Sequence, residues 1–199
     1  MVKNVLAARA GCLAPLVLAA CSNSGVEANF DRSSQATALT ASADLSAPSN
    51  LVGVTGQATY DGVALVTLPA PGALSYSTSA DARLVADFDN QSISGNLTNW
   101  TDMFPLTHEL RGSAVIFGGA IDPVAGTFDA NLAGNLERKP RGVYDASDPP
   151  LNYVFNGAVT GTFHDSLAGD PHSHVLGTIN APLAGPFPGV VTGGIVARQ

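Results

Sequence analysis

From Leu51 onward, apolar and polar residues alternate with a period of two, the spacing that puts every second side chain of an extended strand on one face. Val52, Val54, Gly56, Ala58 and Tyr60 share one face, while Gly53, Thr55, Gln57, Thr59 and Asp61 share the other. Leu84, Ala86 and Phe88 alternate with Arg83, Val85 and Asp87, and Ile93, Gly95 and Leu97 with Ser92, Ser94, Asn96 and Thr98. Ala114, Ile116, Gly118 and Ala120 form a less regular case. The clearest is Phe128, Ala130, Leu132, Gly134 and Leu136, set between Thr127, Asp129, Asn131 and Asn135. Phe155, Gly157, Val159, Gly161 and Phe163 repeat the pattern, and weaker segments follow at 175–181 and 190–197. The alternation predicts eight strands, at about 51–60, 80–88, 92–99, 113–121, 127–136, 153–164, 174–181 and 189–197.

Several gaps between these strands are short and hold turn residues, such as Asp89-Asn90-Gln91 and Asp122-Pro123-Val124-Ala125-Gly126, which makes the neighbouring strands antiparallel. The longer gaps at 61–79, 100–112 and 137–152 are the expected functional loops. Eight strands joined by hairpins can close into an up-and-down barrel, which removes exposed sheet edges. The expected fold is therefore all-β: a single eight-stranded antiparallel up-and-down barrel over 51–199. Small residues beside large ones on the apolar face suit a filled, tapering bore. Thr, Asn, Asp and Ser on the other face suit a wet exterior, so the barrel is expected to be soluble rather than membrane-spanning. Residues 22–50 are rich in Ser, Ala, Asn and Thr without a sustained period. They read as an unstructured, flexible tether with at most a short helix near 35–45.

Composition changes this reading at the N-terminus. Lys3 and Arg9 precede the apolar run Ala10–Leu18, which is too short to span a bilayer and has the character of a secretory signal over residues 1–20. It ends in Leu18-Ala19-Ala20-Cys21, which resembles the bacterial lipobox; Cys21 is then the lipidation site and the anchor to a membrane. Ser rather than Asp at position 22 favours the outer membrane by the sorting rule of such lipoproteins. Cys12 leaves with the leader and Cys21 is consumed by lipid, so the mature domain has neither disulfide nor Cys nucleophile. Of nine basic residues, two lie in the leader, leaving seven against sixteen acids, a net charge of −9. Nucleic-acid binding, which needs a basic footprint, is excluded as an expectation. The one basic cluster, Arg138-Lys139-Pro140-Arg141, is expected to be a solvated loop.

Specific residues then carry a resemblance. Gly56-Gln57-Ala58-Thr59-Tyr60-Asp61-Gly62 opens the domain, and Ala82-Arg83-Leu84-Val85-Ala86-Asp87-Phe88 leads into Ile93-Ser94-Gly95-Asn96-Leu97. Gly126-Thr127-Phe128-Asp129-Ala130-Asn131-Leu132 and Phe155–Phe163 follow. This order resembles the barrel domain of the transferrin-binding protein B-like surface lipoproteins. The resemblance implies an eight-stranded barrel on a lipid-anchored, surface-exposed protein of the outer membrane. It implies partners among host proteins or haem, and export by an outer-membrane translocator. Residues 22–50 are too short for the handle domain that the large receptors pair with each barrel, so transferrin capture is not carried over.

Candidate chemistry is sparse. His164, His172 and His174 cluster in sequence and are weak candidates for a metal or haem, since a His-x-His pair on a strand faces one way. No Gly-x-Ser-x-Gly elbow, phosphate-binding glycine loop or HExxH motif is present. No catalytic residue is assigned, no cofactor is required, and the chain is expected not to be an enzyme. Trp100 heads an apolar run with Met103 and Phe104 that reads as a plug at a barrel end or as a contact patch; Tyr144 and Tyr153 make a second candidate. These loops are the expected binding residues of a module that captures a protein or an iron- or haem-bearing ligand. The alternative is an accessory envelope lipoprotein without a small ligand.

Overall fold

The computed structural model describes residues 24–69, 75–102, 108–140, 150–184 and 189–199. One helix, α1 (Ser24–Ser42), precedes eight strands: β1 (Gln57–Pro69), β2 (Ser75–Asp87), β3 (Ser92–Asp102), β4 (His108–Asp122), β5 (Thr127–Pro140), β6 (Leu151–His164), β7 (His174–Ala184) and β8 (Val190–Arg198). Each strand pairs antiparallel with the next, and β8 returns to β1 from Asp61↔Arg198 to Thr67↔Thr192, closing the sheet into a barrel. The eight-stranded up-and-down barrel expected from the alternation is the observed fold.

The bore is packed. Leu84, Leu97, Ile116, Leu132, Phe155 and Val159 point inward and are buried in one continuous core. Gly134 and Gly161 keep it from overfilling, because a Cβ at either would collide with the ring of Phe155 or Phe128. Asp61, Arg83, Asn96, Asp129, Asn131, Asn156 and Asn180 stand exposed on the outer wall.

The two ends of the barrel differ. At one, here the capped rim, residues 43–56 fold across the opening. Leu51 is buried there, the Ser49 N–H donates to the Phe163 carbonyl at 2.8 Å, and the Leu51 N–H donates to that of Pro123 at 2.9 Å. Beneath them Phe163 packs edge-on against Tyr60 and Phe128, with Phe88 beside it, centroids 5.7–5.8 Å apart. Gly126, at φ 65°, lies so close to the Ser49 carbonyl that no side chain fits. The far rim is made by the strand ends at Pro69, Ser75, Asp102, His108, Pro140, Leu151, Ala184 and Val190.

Three expectations are corrected. Residues 51–56 are not strand: Gly53 and Gly56 both sit at φ 82° and the segment turns under the cap, so its alternation is coincidental. The loop expected at 61–79 shrinks to 70–74, because β1 continues to Pro69 and β2 begins at Ser75. Its Val63-Ala64-Leu65-Val66 stretch lacks alternation because α1 covers Val63 on the outer wall, burying both faces.

The third correction is the tether. Ser24–Ser42 form a helix docked along the wall rather than a flexible strap. Arg32 donates to Asp81 Oδ1 of β2 at 2.8 Å and to Thr101 Oγ1 of β3 at 2.8 Å. Ala36 packs on Val63 and Val196, with Leu39 and Leu176 alongside. Ser42 Oγ lies 2.8 Å from His174 Nε2, and the Asp44 N–H donates to the Asp165 carbonyl at 2.7 Å. These contacts come from residues distant in sequence, which a local pattern does not reveal.

Candidate functional site

The far rim carries a polar layer inside an otherwise apolar bore. Alternate residues of β5 from Phe128 to Leu136 face inward, and the same parity turns Arg138 into the bore. On β3 the alternation is reset by Asn99, at φ 52°, which brings Trp100 and Asp102 both to buried positions. Tyr76 of β2 and Tyr153 of β6 share that inward face. Arg138 Nε donates to Asp102 Oδ2 at 2.6 Å, with both side chains almost wholly buried, and its guanidinium lies 3.6 Å from the centroid of the Tyr76 ring. A buried guanidinium is tolerable only when paired, and stacking on an aromatic face adds a second partner. Tyr153 is 1% exposed, yet its hydroxyl has no hydrogen-bond partner among the described residues. Burial, modulated by Arg138, Tyr76 and Asp102, pushes its phenol up to about 12. The arrangement is a buried ion pair stacked on an aromatic ring, with the Tyr153 hydroxyl on the same inward face.

Outside this layer the wall is divided. Glu109 lies opposite Lys139 and Arg111 opposite Glu137 in the β4–β5 register, with ion pairs Arg111–Glu109 at 2.9 Å and Lys139–Glu137 at 3.1 Å. The Arg138–Arg141 cluster is thus not a single solvated loop. Arg138 is interior and Lys139 belongs to a surface ladder, while Arg141 lies outside the described residues.

Trp100 is buried within β3, where its Nε1–H donates to the Leu97 carbonyl at 3.2 Å, so it fills the bore and is not an exposed contact. Tyr153 is likewise interior. Cys21, Met103, Phe104 and Tyr144 lie outside the described residues. The segments holding the last three, 103–107 and 141–149, connect strand ends that belong to the same rim. The Asp102–Arg138 pair was not anticipated, although the parity of β5 continued from Leu136 to Arg138 points to it.

The histidines sit at the capped rim. His164 and His174 are cross-strand partners on β6 and β7, both covered by the chain leaving α1. His174 Nε2 meets Ser42 Oγ at 2.8 Å and its Nδ1 meets Ser173 Oγ at 2.9 Å. His164 Nε2 meets Thr162 Oγ1 at 2.7 Å, and its Nδ1 lies 3.0 Å from the Asp44 carbonyl. His172, at φ 40°, packs edge-on to Phe88 and its carbonyl accepts from the Tyr60 hydroxyl at 2.8 Å. Burial, with Arg198 and His164 nearby, lowers the pKa of His174. The Ser–His–Ser contact has a fully buried imidazole and no hydrogen-bonded carboxylate to orient it. Among the described residues no group of three His, Cys, Asp or Glu is arranged to hold a metal.

Two grooves flank α1 on the outer wall. The larger, about 710 Å³, is lined by Thr40, Leu65, Asp129, Thr160, Thr178 and Val196 among others; the smaller, about 320 Å³, by Gln35, Asp61, Asp81, Arg83 and Asn96. Neither gathers a nucleophile with a base. Comparison with family models, with curated proteins and with solved structures finds no match to this chain.

Proposed function

We propose that this chain is a lipid-anchored envelope protein of the outer membrane, held through Cys21, whose barrel acts as a non-enzymatic binding module that meets a partner's surface at its far rim. The observation that carries this reading is the rim's architecture. The strand ends at Asp102, His108, Pro140 and Leu151 hang both aromatic-bearing connections, 103–107 and 141–149, from one end of a rigid barrel. The same end is braced from within by the Asp102–Arg138–Tyr76 layer. Recognition commonly sits on loops held by a rigid scaffold. The packed bore supports a surface as partner rather than an enclosed small molecule, since Leu84, Leu97, Ile116 and Leu132 occupy the space a ligand would need. The likeness to transferrin-binding protein B-like lipoproteins belongs to the same proposal. Ligation of haem by His164 or His174 gains no support, because both ring nitrogens of each are already engaged.

Photo-crosslinking in intact cells tests the rim. Crosslinker at Lys139 or Val190, on the far rim, should yield adducts to the surface it meets, protein or lipid, whereas crosslinker at Val124, on the capped rim, should not. Adducts from Val124 alone, or none at any position, would sink the reading. Mass spectrometry of the membrane-extracted chain checks the anchor: a Cys21 without lipid contradicts it.

A further inference from the structure

The direction in which α1 lies along the barrel decides which end is nearest the anchor. Ser42 meets His174, the first residue of β7, at the capped rim. Ten residues earlier, Arg32 reaches Ser79 and Thr101, and Thr101 is one residue from the end of β3 at the far rim. Those ten residues climb about 15 Å, and the eight from Arg32 back to Ser24 extend the helix about 12 Å further in the same direction. The helix therefore starts at the level of the far rim. Cys21 precedes Ser24 by three residues, a reach of at most about 10 Å.

The outer wall beside that rim differs from the wall below it. Val154 of β6 pairs with Ala184 of β7, and Pro182 of β7 with Val190 of β8; Gly189 abuts Pro69 of β1. Val154 and Val190 are each 44% exposed, and Pro182 and Ala184 are exposed beside them. The next outward positions toward the capped rim are Asn156, Asn180, Thr192 and Thr67, all polar. An apolar collar thus runs over four neighbouring strands and stops after about one row. Within the remaining arc, β2 to β5, strands β4 and β5 carry the ladder Glu109, Arg111, Glu137 and Lys139, whose charges suit headgroups rather than acyl chains.

We propose that the far rim faces the bilayer, with the collar of Pro69, Val154, Pro182, Ala184 and Val190 seated in its interfacial region. This rests on the lipid-anchor reading above and names the partner surface of the same rim: a lipid surface. A flexible tether of residues 22–50 would leave the barrel free to turn either end outward, but a helix docked along the wall does not. Shallow burial of apolar side chains adds a second attachment to the lipid, as stable peripheral anchoring uses two signals.

The test uses the full chain made in a lipidating bacterial host and reconstituted in phosphatidylethanolamine–phosphatidylglycerol vesicles that carry a spin-labelled lipid. Single-cysteine variants Val154→Cys and Val190→Cys on the collar, and Val124→Cys and Leu167→Cys at the capped rim, receive an environment-sensitive fluorophore. Val124 and Leu167 are 76% and 69% exposed, so labelling disturbs no core. The expected result is a blue shift and loss of fluorescence at 154 and 190, with neither at 124 and 167. Quenching at 124 or 167 instead, or at none of the four on a chain whose Cys21 carries lipid, overturns the orientation and leaves a protein as the partner of that rim. A chain without lipid on Cys21 removes the anchor reading itself and the orientation with it.

Discussion

Arg138 and Asp102 form a 2.6 Å ion pair inside the barrel, 36 residues apart in sequence and joined through the far end of the bore. Breaking such a pair leaves one buried charge uncompensated, whereas replacing both members with apolar residues of similar size removes the desolvation cost altogether. Arg138→Met alone or Asp102→Leu alone should lose about 3–5 kcal/mol of stability, and the double variant should recover to within about 1 kcal/mol of the parent. Urea unfolding of the three variants measures this. A double variant that loses the sum of the two single losses would mean that the pair is not a coupled unit.

The Tyr153 hydroxyl is buried without a hydrogen-bond partner among the described residues, so removing it sacrifices no bond seen there. Tyr153→Phe should leave stability unchanged or raise it by about 1 kcal/mol, the opposite of the usual effect of deleting a buried hydroxyl. A clear fall in the urea midpoint would show that the hydroxyl is bonded in solution.

How much of this was legible in the sequence follows from where period two survives. It is intact from Phe128 to Leu136 and from Phe155 to Phe163, where one face meets the bore and the other meets water. It vanishes at Val63–Val66 because α1 supplies a second apolar surface, and it misleads at 51–56, where two positive-φ glycines turn the chain. Asn99 shifts the parity of β3 within a single residue, so Trp100 reads as the start of a loop although it fills the bore. Docking of α1 depends on Asp81, Thr101 and His174, contacts that span 49, 69 and 132 residues and leave no local trace. Arg138, by contrast, was accessible by extending one strand by two residues.

His174 makes stability depend on pH. Its pKa is lowered in the folded state by burial first, and then by Arg198 and His164. A depressed imidazole binds its proton less readily folded than unfolded, so the stabilisation is complete above the unfolded value of about 6.5 and is lost as pH falls below it. Thermal unfolding between about pH 8 and pH 5 should show a falling Tm, and His174→Gln should flatten that fall. A separate loss at lower pH belongs to Asp165, whose carboxylate is held below its ordinary range by the Ser49 hydroxyl and then by the His172 N–H. A His174→Gln profile parallel to the parent's would place the titration elsewhere.

The docking of α1 rests on a small apolar contact, one ion pair and a few side-chain hydrogen bonds, so it should open well below the threshold for unfolding the barrel. Ala36 is buried against Val63 and Val196, and Arg32 pairs with Asp81 at 2.7 Å across a partly exposed surface. A partly exposed pair of this kind contributes on the order of 1 kcal/mol, whereas an acid placed against two valines cannot be hydrated without lifting the helix. Ala36→Asp should therefore accelerate hydrogen exchange across residues 30–39 while leaving the amides of β5 and β6 protected. Arg32→Ala should do the same to a smaller degree. Loss of protection in the barrel strands together with α1 would mean that helix and barrel unfold as one unit, and that the helix is an integral part of the wall.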